Sequence, residues 1–341
     1  MTTIATTQLG RTGPTTSAIG LGCMAMSGVY GPADREQSIA TINAALDQGI
    51  TLIDTGDFYG FGHNELLISE ALRGRPRESY QLSVKFGALR GPDNSWGGTD
   101  TRPEAMRNFL GYSLQRLGTD HVDVYRPARL DENVPIEDTI GAIAEMVEAG
   151  FVRNIGLSEV GSDTIRRAAA VHPISDLQIE YSLLSRGIED GILATCRELG
   201  IAVTAYGVLS RGLLSATAGR DQYSGAGDFR SASPRFQGEN LTHNLELVDR
   251  LRRLAPEVGL TVGQLAIAWV AAQGSDIIPL IGTRKPERLT EAAEAVAHGL
   301  TPEQLAEINQ AVPAGAAAGD RYASAQMAHL DSEKQGRDSD K

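Results

Sequence analysis

The chain has 341 residues, a net charge of −12, 41% apolar residues and 22% charged ones. That balance permits a packed core and excludes a disordered chain. The acidic surplus excludes the basic face that nucleic-acid-binding domains carry. No apolar run approaches the ~18 residues of a membrane span, the first ten residues lack a secretory pattern, and two cysteines, Cys23 and Cys196, make neither a disulfide framework nor a cysteine-rich zinc site. A reducing cytoplasm is the expected compartment.

Short β-rich apolar runs recur near residues 18–21, 51–54, 81–85, 122–125, 152–157, 177–181, 202–205 and 277–281. Several are continuously apolar, as strands buried on both faces of a parallel sheet are. Helical patterns separate them. Asp34 with Gln37 marks a helix start, and Ile39, Ile42 and Leu46 share a face up to Gly49. Phe109, Leu110, Leu114 and Leu117 repeat the pattern before Gly118, Ile136 to Val147 before Gly150, and Ile188, Ile192, Cys196 and Leu199 before Gly200. Thr261 with Gln264, and Thr301-Pro302 with Gln304, open two more helices.

Eight strands alternating with helices predict a single (β/α)8 TIM barrel over residues 1–330. Gly10-Arg11-Thr12-Gly13 suits an N-terminal β-hairpin plugging its floor. The Gly- and Ser-rich stretch 215–243 follows the seventh strand and is expected to be a long loop at the C-terminal mouth. The polar tail 331–341 is expected to fray. Gly20-Leu21-Gly22-Cys23-Met24-Ala25 matches a dinucleotide fingerprint. No helix follows directly, because Gly28 and Gly31 intervene before Asp34, so the doubly wound alternative is set aside.

In a barrel, chemistry sits at the C-terminal ends of the strands. The second strand runs into Asp54-Thr55-Gly56-Asp57-Phe58-Tyr59, and the third into Lys85-Phe86-Gly87. Asp54 and Lys85 are expected side by side, with Tyr59 returning above them. An ammonium beside a tyrosine lowers its pKa, a neighbouring carboxylate keeps the lysine charged, and the trio forms a tunable proton donor. A structural ion pair under a core tyrosine is the plainer reading of the same spacing. Glu159 and Glu180, ending adjacent strands, suggest a glycosidase carboxylate pair, but no sugar-binding aromatics accompany them. No H-E-x-x-H, C-x-x-C, P-loop or G-x-S-x-G motif occurs.

From Gln8 to Ala311 the sequence resembles the aldo-keto reductases. The motifs are Leu9-Gly10-Arg11-Thr12-Gly13, Ile53-Asp54-Thr55 with Tyr59-Gly60, and Gly62-His63-Asn64-Glu65. Ser83-Val84-Lys85-Phe86-Gly87, Ile155-Gly156-Leu157-Ser158-Glu159 and Leu280-Ile281-Gly282-Thr283-Arg284 complete the set. The resemblance implies a barrel that binds NADPH without a Rossmann domain and reduces aldehydes and ketones. It implies Asp54, Tyr59 and Lys85 as three of four catalytic residues.

The fourth, a histidine ending the fourth strand, is replaced. The row reads Asp123-Val124-Tyr125-Arg126-Pro127-Ala128-Arg129-Leu130-Asp131, with Ala128 in the histidine's place. Alanine cannot polarise a carbonyl, and it widens the pocket. Arg126, Pro127 and Arg129 are expected to form a polar rim there. This segment, with Val134-Pro135-Ile136-Glu137, looks like a branch containing pyridoxal reductases. Of the other histidines His63 lies nearest to Tyr59, and a surface histidine at a helix start is the plainer reading of it.

Cofactor residues follow from the same resemblance. Ser158 and Gln178 resemble the nicotinamide carboxamide contacts, and Glu159 stands where many members carry asparagine. Tyr206 resembles the ring stacked on the nicotinamide. Gly207, Leu209, Ser210 and Arg211 resemble the pyrophosphate clamp. Thr283, Arg284 and Arg288 resemble the adenosine 2′-phosphate site, where two arginines favour NADPH over NADH. Glu291 resembles the adenine contact, with Ala292 in the usual asparagine position. Gly22 joins the cofactor-facing set, and Arg230, Arg235 and Asn240 are expected to fold over the cofactor. Some family members are NADPH-binding regulatory subunits of ion channels, which is the non-enzymatic alternative. A small carbonyl compound is the expected partner.

Overall fold

The computed structural model describes residues 4–334 except 94, 216–217, 220–222 and 224–227. Two short antiparallel strands open the chain, β1 (Thr6–Gln8) and β2 (Thr15–Ser17), paired Thr6 to Ser17 and Gln8 to Thr15. The turn between them carries Leu9, which is fully buried among Leu52, Val124, Ala202, Ile278 and Leu280. Arg11 N donates to Gly200 O at 2.7 Å, and Gly10, at φ 69°, passes too close to Ser175 O for a side chain. The hairpin is the floor plug that the Gly-Arg-Thr-Gly turn suggested.

Eight parallel strands close the barrel above it. They are β3 (Gly20–Gly22), β4 (Leu52–Gly56), β5 (Gln81–Phe86), β8 (Val122–Pro127), β9 (Val152–Ser158), β10 (Ile174–Glu180), β11 (Ala202–Tyr206) and β12 (Ile277–Gly282). Each falls on one of the expected apolar runs. A hairpin not anticipated, β6 (Ala88–Arg90) with β7 (Trp96–Thr99), rises between β5 and β8.

Helices follow the strands: α1 (Arg35–Asp47), α2 (His63–Ala71), α3 (Pro103–Leu117), α4 (Ile136–Glu148), α5 (Ser162–Val171), α6 (Ile192–Leu199), α7 (Gly238–Leu254), α8 (Val262–Ala271), α9 (Pro286–His298) and α10 (Pro302–Ala311). Their ends obey the local signals. Asp34 accepts from Gln37 N at α1, and Thr261 and Thr301 close reciprocal capping boxes with Gln264 and Gln304. Gly118 and Gly200 take left-handed caps. The helix expected through Ile188 starts later. Ile188 lies in a separate 3-10 turn, and Gly191 at φ 108° breaks the path before Ile192. No single helix among the described residues is long and apolar enough to cross a membrane.

The tail departs from expectation where it is described. Asp331 accepts from Gly161 N at 2.9 Å and Thr164 Oγ1 at 2.7 Å, and Lys334 pairs with Glu132 at 2.6 Å. Residues 331–334 are therefore tied to the barrel; 335–341 lie outside the described residues, as do parts of the expected 215–243 loop.

Candidate active site

The parallel register sets Gly22 beside Asp54, and Gly56 beside Lys85. Asp54 and Lys85 both point into the barrel and are buried. Lys85 Nζ lies 2.5 Å from Asp54 Oδ1, while Ser83 Oγ and Gln178 Nε2 donate to Oδ2 at 2.8 and 2.7 Å. The tight turn after β4 brings Tyr59 back over the pair, its ring centroid 5.1 Å from Lys85 Nζ and packed edge-on against Phe58. Phe61, next in that turn, holds φ 54°, a strained conformation for a bulky residue. Tyr59 is buried, and its hydroxyl has no hydrogen-bond partner among the described residues.

The electrostatics correct the sequence expectation in two respects. Burial first, and Asp54 second, push the Tyr59 phenol well above its ordinary value, against the pull of Arg129. The expected lowering by Lys85 does not prevail. Burial likewise lowers the Lys85 ammonium, outweighing Asp54 and aided by Arg126. Desolvation of each group exceeds the reward of its partner.

Ala128 follows β8 directly, is buried, and donates its N–H to Phe86 O at 2.8 Å. The expected polar rim around it is not formed as a unit, because Pro127 and Arg126 are buried. Arg126 points inward, donating to Asp176 Oδ2 at 2.8 Å and Ser83 Oγ at 2.8 Å. Only Arg129 reaches the mouth. His63 starts α2 with Nδ1 3.0 Å from Ser27 Oγ, at the exposed helix start anticipated.

The expected cofactor residues fall at the same mouth. Gln178 commits its amide N–H to Asp54, and neither its amide oxygen nor the Ser158 hydroxyl has a partner among the described residues. Gly22 and Gly282 lie side by side in β3 and β12, and a Cβ at Gly22 would meet nothing closer than 3.9 Å. The backbone there stays approachable. After β11, Gly207, Ser210 and Arg211 all hold left-handed φ, and Ser210 Oγ lies 2.9 Å from Ser182 Oγ. Thr283 Oγ1 accepts from Lys285 N at 3.0 Å, and Arg284, Lys285 and Arg288 cluster at the N-terminus of α9. Cations at a helix N-terminus suit a phosphate. Arg288 also pairs with Glu291 at 2.6 Å, so those two expected contacts touch each other.

One cluster was missed. Arg321 and Tyr322, beyond α10, insert over the mouth. Arg321 meets Glu159 at 2.5 Å, Glu333 at 2.8 Å and Glu180 at 3.3 Å. Tyr206 Oη donates to Glu159 Oε1 at 2.6 Å and lies 2.8 Å from Tyr322 Oη. Arg211 pairs with Glu180 at 2.8 Å, and its guanidinium lies 4.1 Å from the Tyr322 ring centroid. Arg235 approaches Glu180 at 3.9 Å, and Arg230 pairs with Asp228. Burial drives the Glu180 carboxyl up, but Arg211, Arg321 and Arg235 outweigh it and hold it below the ordinary range. Glu159 is held low in the same way, chiefly by Arg321. Two carboxylates fixed as anions cannot supply the acid of a glycosidase pair. The only sequence signal was an Arg-Tyr pair inside an Ala- and Gly-rich stretch, past the end of the resemblance.

A closed eight-stranded barrel with a buried carboxylate–ammonium pair beneath a tyrosine, and clustered cations at the mouth, defines a barrel oxidoreductase site. Residues 18–313 match the model of the aldo/keto reductase family, and the chain belongs to that family. It is 43% identical over 318 residues to probable aldo-keto reductase 1 of Glycine max, covering 92% of this chain and 91% of that one. It resembles the glycerol dehydrogenase AKR11B4 from Gluconobacter oxydans, with a TM-score of 0.82 and 28% identity over 97% of each chain. It also resembles an aldo-keto reductase from Klebsiella pneumoniae in complex with NADPH, with a TM-score of 0.71 and 26% identity over 90% of this chain and 95% of that one.

Proposed function

We propose that the protein reduces an aldehyde or ketone to an alcohol with NADPH, and that Tyr59 supplies the proton. The observation that carries this reading is the unpartnered Tyr59 hydroxyl, buried above the Lys85–Asp54 pair. NADPH, when bound, supplies the hydride that goes to the carbonyl carbon. The chain's own residues do the rest. Arg284 and Arg288 would hold the 2′-phosphate and Arg211 the pyrophosphate, with Glu291 toward the adenine. Ser158 and Gln178 would bind the carboxamide, Tyr206 would contact the nicotinamide, and Gly22 would leave the backbone open to the cofactor. Tyr59 donates to the carbonyl oxygen as negative charge develops there, and Arg129, with Lys85 beside the ring, eases the phenolate left behind. Asp54 holds Lys85 in place. With alanine at position 128 no histidine stands there, and Tyr59 is the side-chain acid assigned to the carbonyl.

The test is NADPH oxidation against a panel of aldehydes and ketones that includes pyridoxal, with wild type and Tyr59→Phe. Loss of a positioned acid lowers turnover on the order of 10²–10⁴-fold, while NADPH affinity, read by fluorescence titration, stays within about twofold. Near-normal turnover in Tyr59→Phe would remove Tyr59 from the chemistry. Absence of turnover with every carbonyl in wild type would favour a regulatory, cofactor-binding role.

A further inference from the structure

Glu159 follows β9 directly, is fully buried and holds φ 54°, a left-handed backbone that few residues other than glycine adopt. Both oxygens of its carboxylate are engaged. Oε1 accepts from Tyr206 Oη at 2.6 Å, Arg321 Nη1 at 2.9 Å and Glu180 N at 3.1 Å. Oε2 accepts from Arg321 Nη2 at 2.5 Å and Ser332 Oγ at 2.9 Å. A carboxylate has about four lone-pair sites, so these contacts leave no edge with which Glu159 could bond a ligand. What it can still exert is its charge.

Burial opposes that charge. Arg321 foremost, with Arg129 and the Tyr206 hydroxyl, overrides it and holds the carboxyl below the usual range. The neighbouring Glu180 has a second cation, Arg211 at 2.8 Å, so Glu159 is the carboxylate that depends on Arg321. Arg321 lies beyond residues 18–313, the part that matches the family model. The barrel supplies the anion and the C-terminal segment its counter-charge. On the other side, Glu159 is bonded to Tyr206 and adjoins Ser158, whose hydroxyl has no partner among the described residues. Ser158 pairs in register with Gln178, and Glu180 with Tyr206, so the three strand ends form one surface.

We infer that the Glu159–Arg321 pair sets the balance between oxidised and reduced cofactor at this site, Arg321 cancelling a carboxylate charge that would otherwise favour the oxidised form. The inference rests on the reductase reading above, which puts Ser158, Gln178 and Tyr206 at the nicotinamide. The nicotinamide ring is neutral in NADPH and carries one positive charge in NADP⁺, while the phosphates of the two forms are the same. A fixed charge beside the ring therefore acts on one form and leaves the phosphate contacts unchanged. In a buried site that effect is weakly screened. An uncompensated Glu159 would hold NADP⁺ after hydride transfer and slow its departure, and Arg321 removes that hold.

The experiment measures the dissociation constants of NADPH and NADP⁺ by fluorescence titration and calorimetry, without a carbonyl substrate. The proteins are wild type, Glu159→Gln, Arg321→Met and the double variant, at pH 8, where Arg129 and the Tyr206 hydroxyl still favour the Glu159 anion. The readout is the NADP⁺ constant divided by the NADPH constant, from which losses common to both forms cancel. Glu159→Gln leaves Arg321 in excess and raises the ratio on the order of tenfold. Arg321→Met leaves the carboxylate uncompensated and lowers the ratio by a similar factor. The double variant returns to within about threefold of wild type. Opposite signs are a result that a packing role alone does not produce. A ratio unchanged in either single variant, or moved in the same direction by both, overturns the inference and leaves the reductase reading standing. Shifts of the expected signs with no carbonyl turned over support the inference and overturn the reductase activity. A wild type that binds neither cofactor overturns both. Should Arg321→Met fail to fold, Glu159→Gln must raise the ratio and the double variant must cancel that rise.

Discussion

Arg321→Met tests whether the ion network at the mouth holds the C-terminal segment in place. Arg321 is 7% exposed and joins Glu159, Glu180 and Glu333, and it donates to Tyr206 Oη at 3.3 Å. Removing one partner of a buried pair costs about 3–5 kcal/mol, because a charge is left stranded. Glu180 keeps Arg211 at 2.8 Å, so its loss is small. Glu159 is the stranded group. It retains neutral donors, the Tyr206 and Ser332 hydroxyls and Glu180 N, which soften the penalty. The expected loss is therefore near the lower bound, about 3 kcal/mol. Methionine keeps most of the stem's packing, so the charge is what is removed.

The assay is urea unfolding at pH 7, with the slope checked for constancy between variants. The double variant Arg321→Met with Glu159→Gln should recover about half of the loss, since no unpaired charge remains. A pH series adds a sign. The native state holds the Glu159 carboxyl below its ordinary value, so its contribution is present above the unfolded carboxylate range and is lost as pH falls below about 5. The wild type should therefore lose stability on acidification more steeply than Arg321→Met. A single-variant loss under about 1 kcal/mol, or a double variant no better than the single, would refute the reasoning.

Asp57 gives a pH dependence of opposite sign. Burial chiefly, with Glu65, raises its carboxyl to about 7, so native stability is fully present below the unfolded value of ~3.9 and falls as pH rises through 7. Asp57→Asn should remove that fall, gaining about 2–4 kcal/mol over wild type between pH 4 and 8 in urea melts; equal pH slopes would count against it. Arg284→Ala with Arg288→Ala should raise the Michaelis constant for NADPH far more than for NADH, each phosphate contact being worth about 1.5–3 kcal/mol; equal losses would mean that they do not read the 2′-phosphate. Ala128→His should hurt a bulky substrate more than a small aldehyde, since overpacking a fitted site costs roughly 1–3 kcal/mol. A uniform gain on both would make the alanine a simple defect.

What could be read from the sequence was local or periodic. The eight barrel strands announce themselves because burial on both faces demands near-continuous apolar runs, and Ile174–Glu180 is buried at every position. Asp54, Tyr59 and Lys85 could be placed because the βα turn after a barrel strand is short and its register fixed. Contacts between distant segments left no such trace. Arg321 and Glu159 lie 162 positions apart and Arg126 and Asp176 lie 50 apart, with no pattern linking them. The hairpin carrying Trp96 is three- and four-residue strands with two glycines, too short for an alternation to show. The sign of the Tyr59 shift was misjudged because spacing reveals neighbouring charges but not how dry the site is.

That dryness bears on how the proposed chemistry runs. Asp54 accepts from three donors, Lys85, Ser83 and Gln178, which fix its carboxyl group in place. On the proposed reading its part is to position Lys85. Beneath it Arg126 donates to Ser83 and pairs with Asp176, so a second cation and a second anion complete a buried, balanced set. A lysine whose proton affinity is lowered by burial and by that second cation stays in place through its Asp54 contact. Tyr59, raised well above its ordinary value, stands as the neutral phenol at neutral pH. On the proposed reading the neutral phenol is the form that reduction requires. Alcohol oxidation would start from the phenolate, which the same burial disfavours. Carbonyl reduction is therefore the direction for which the site is already protonated near neutrality, with Arg129 as the main group easing the phenolate that each turnover leaves behind.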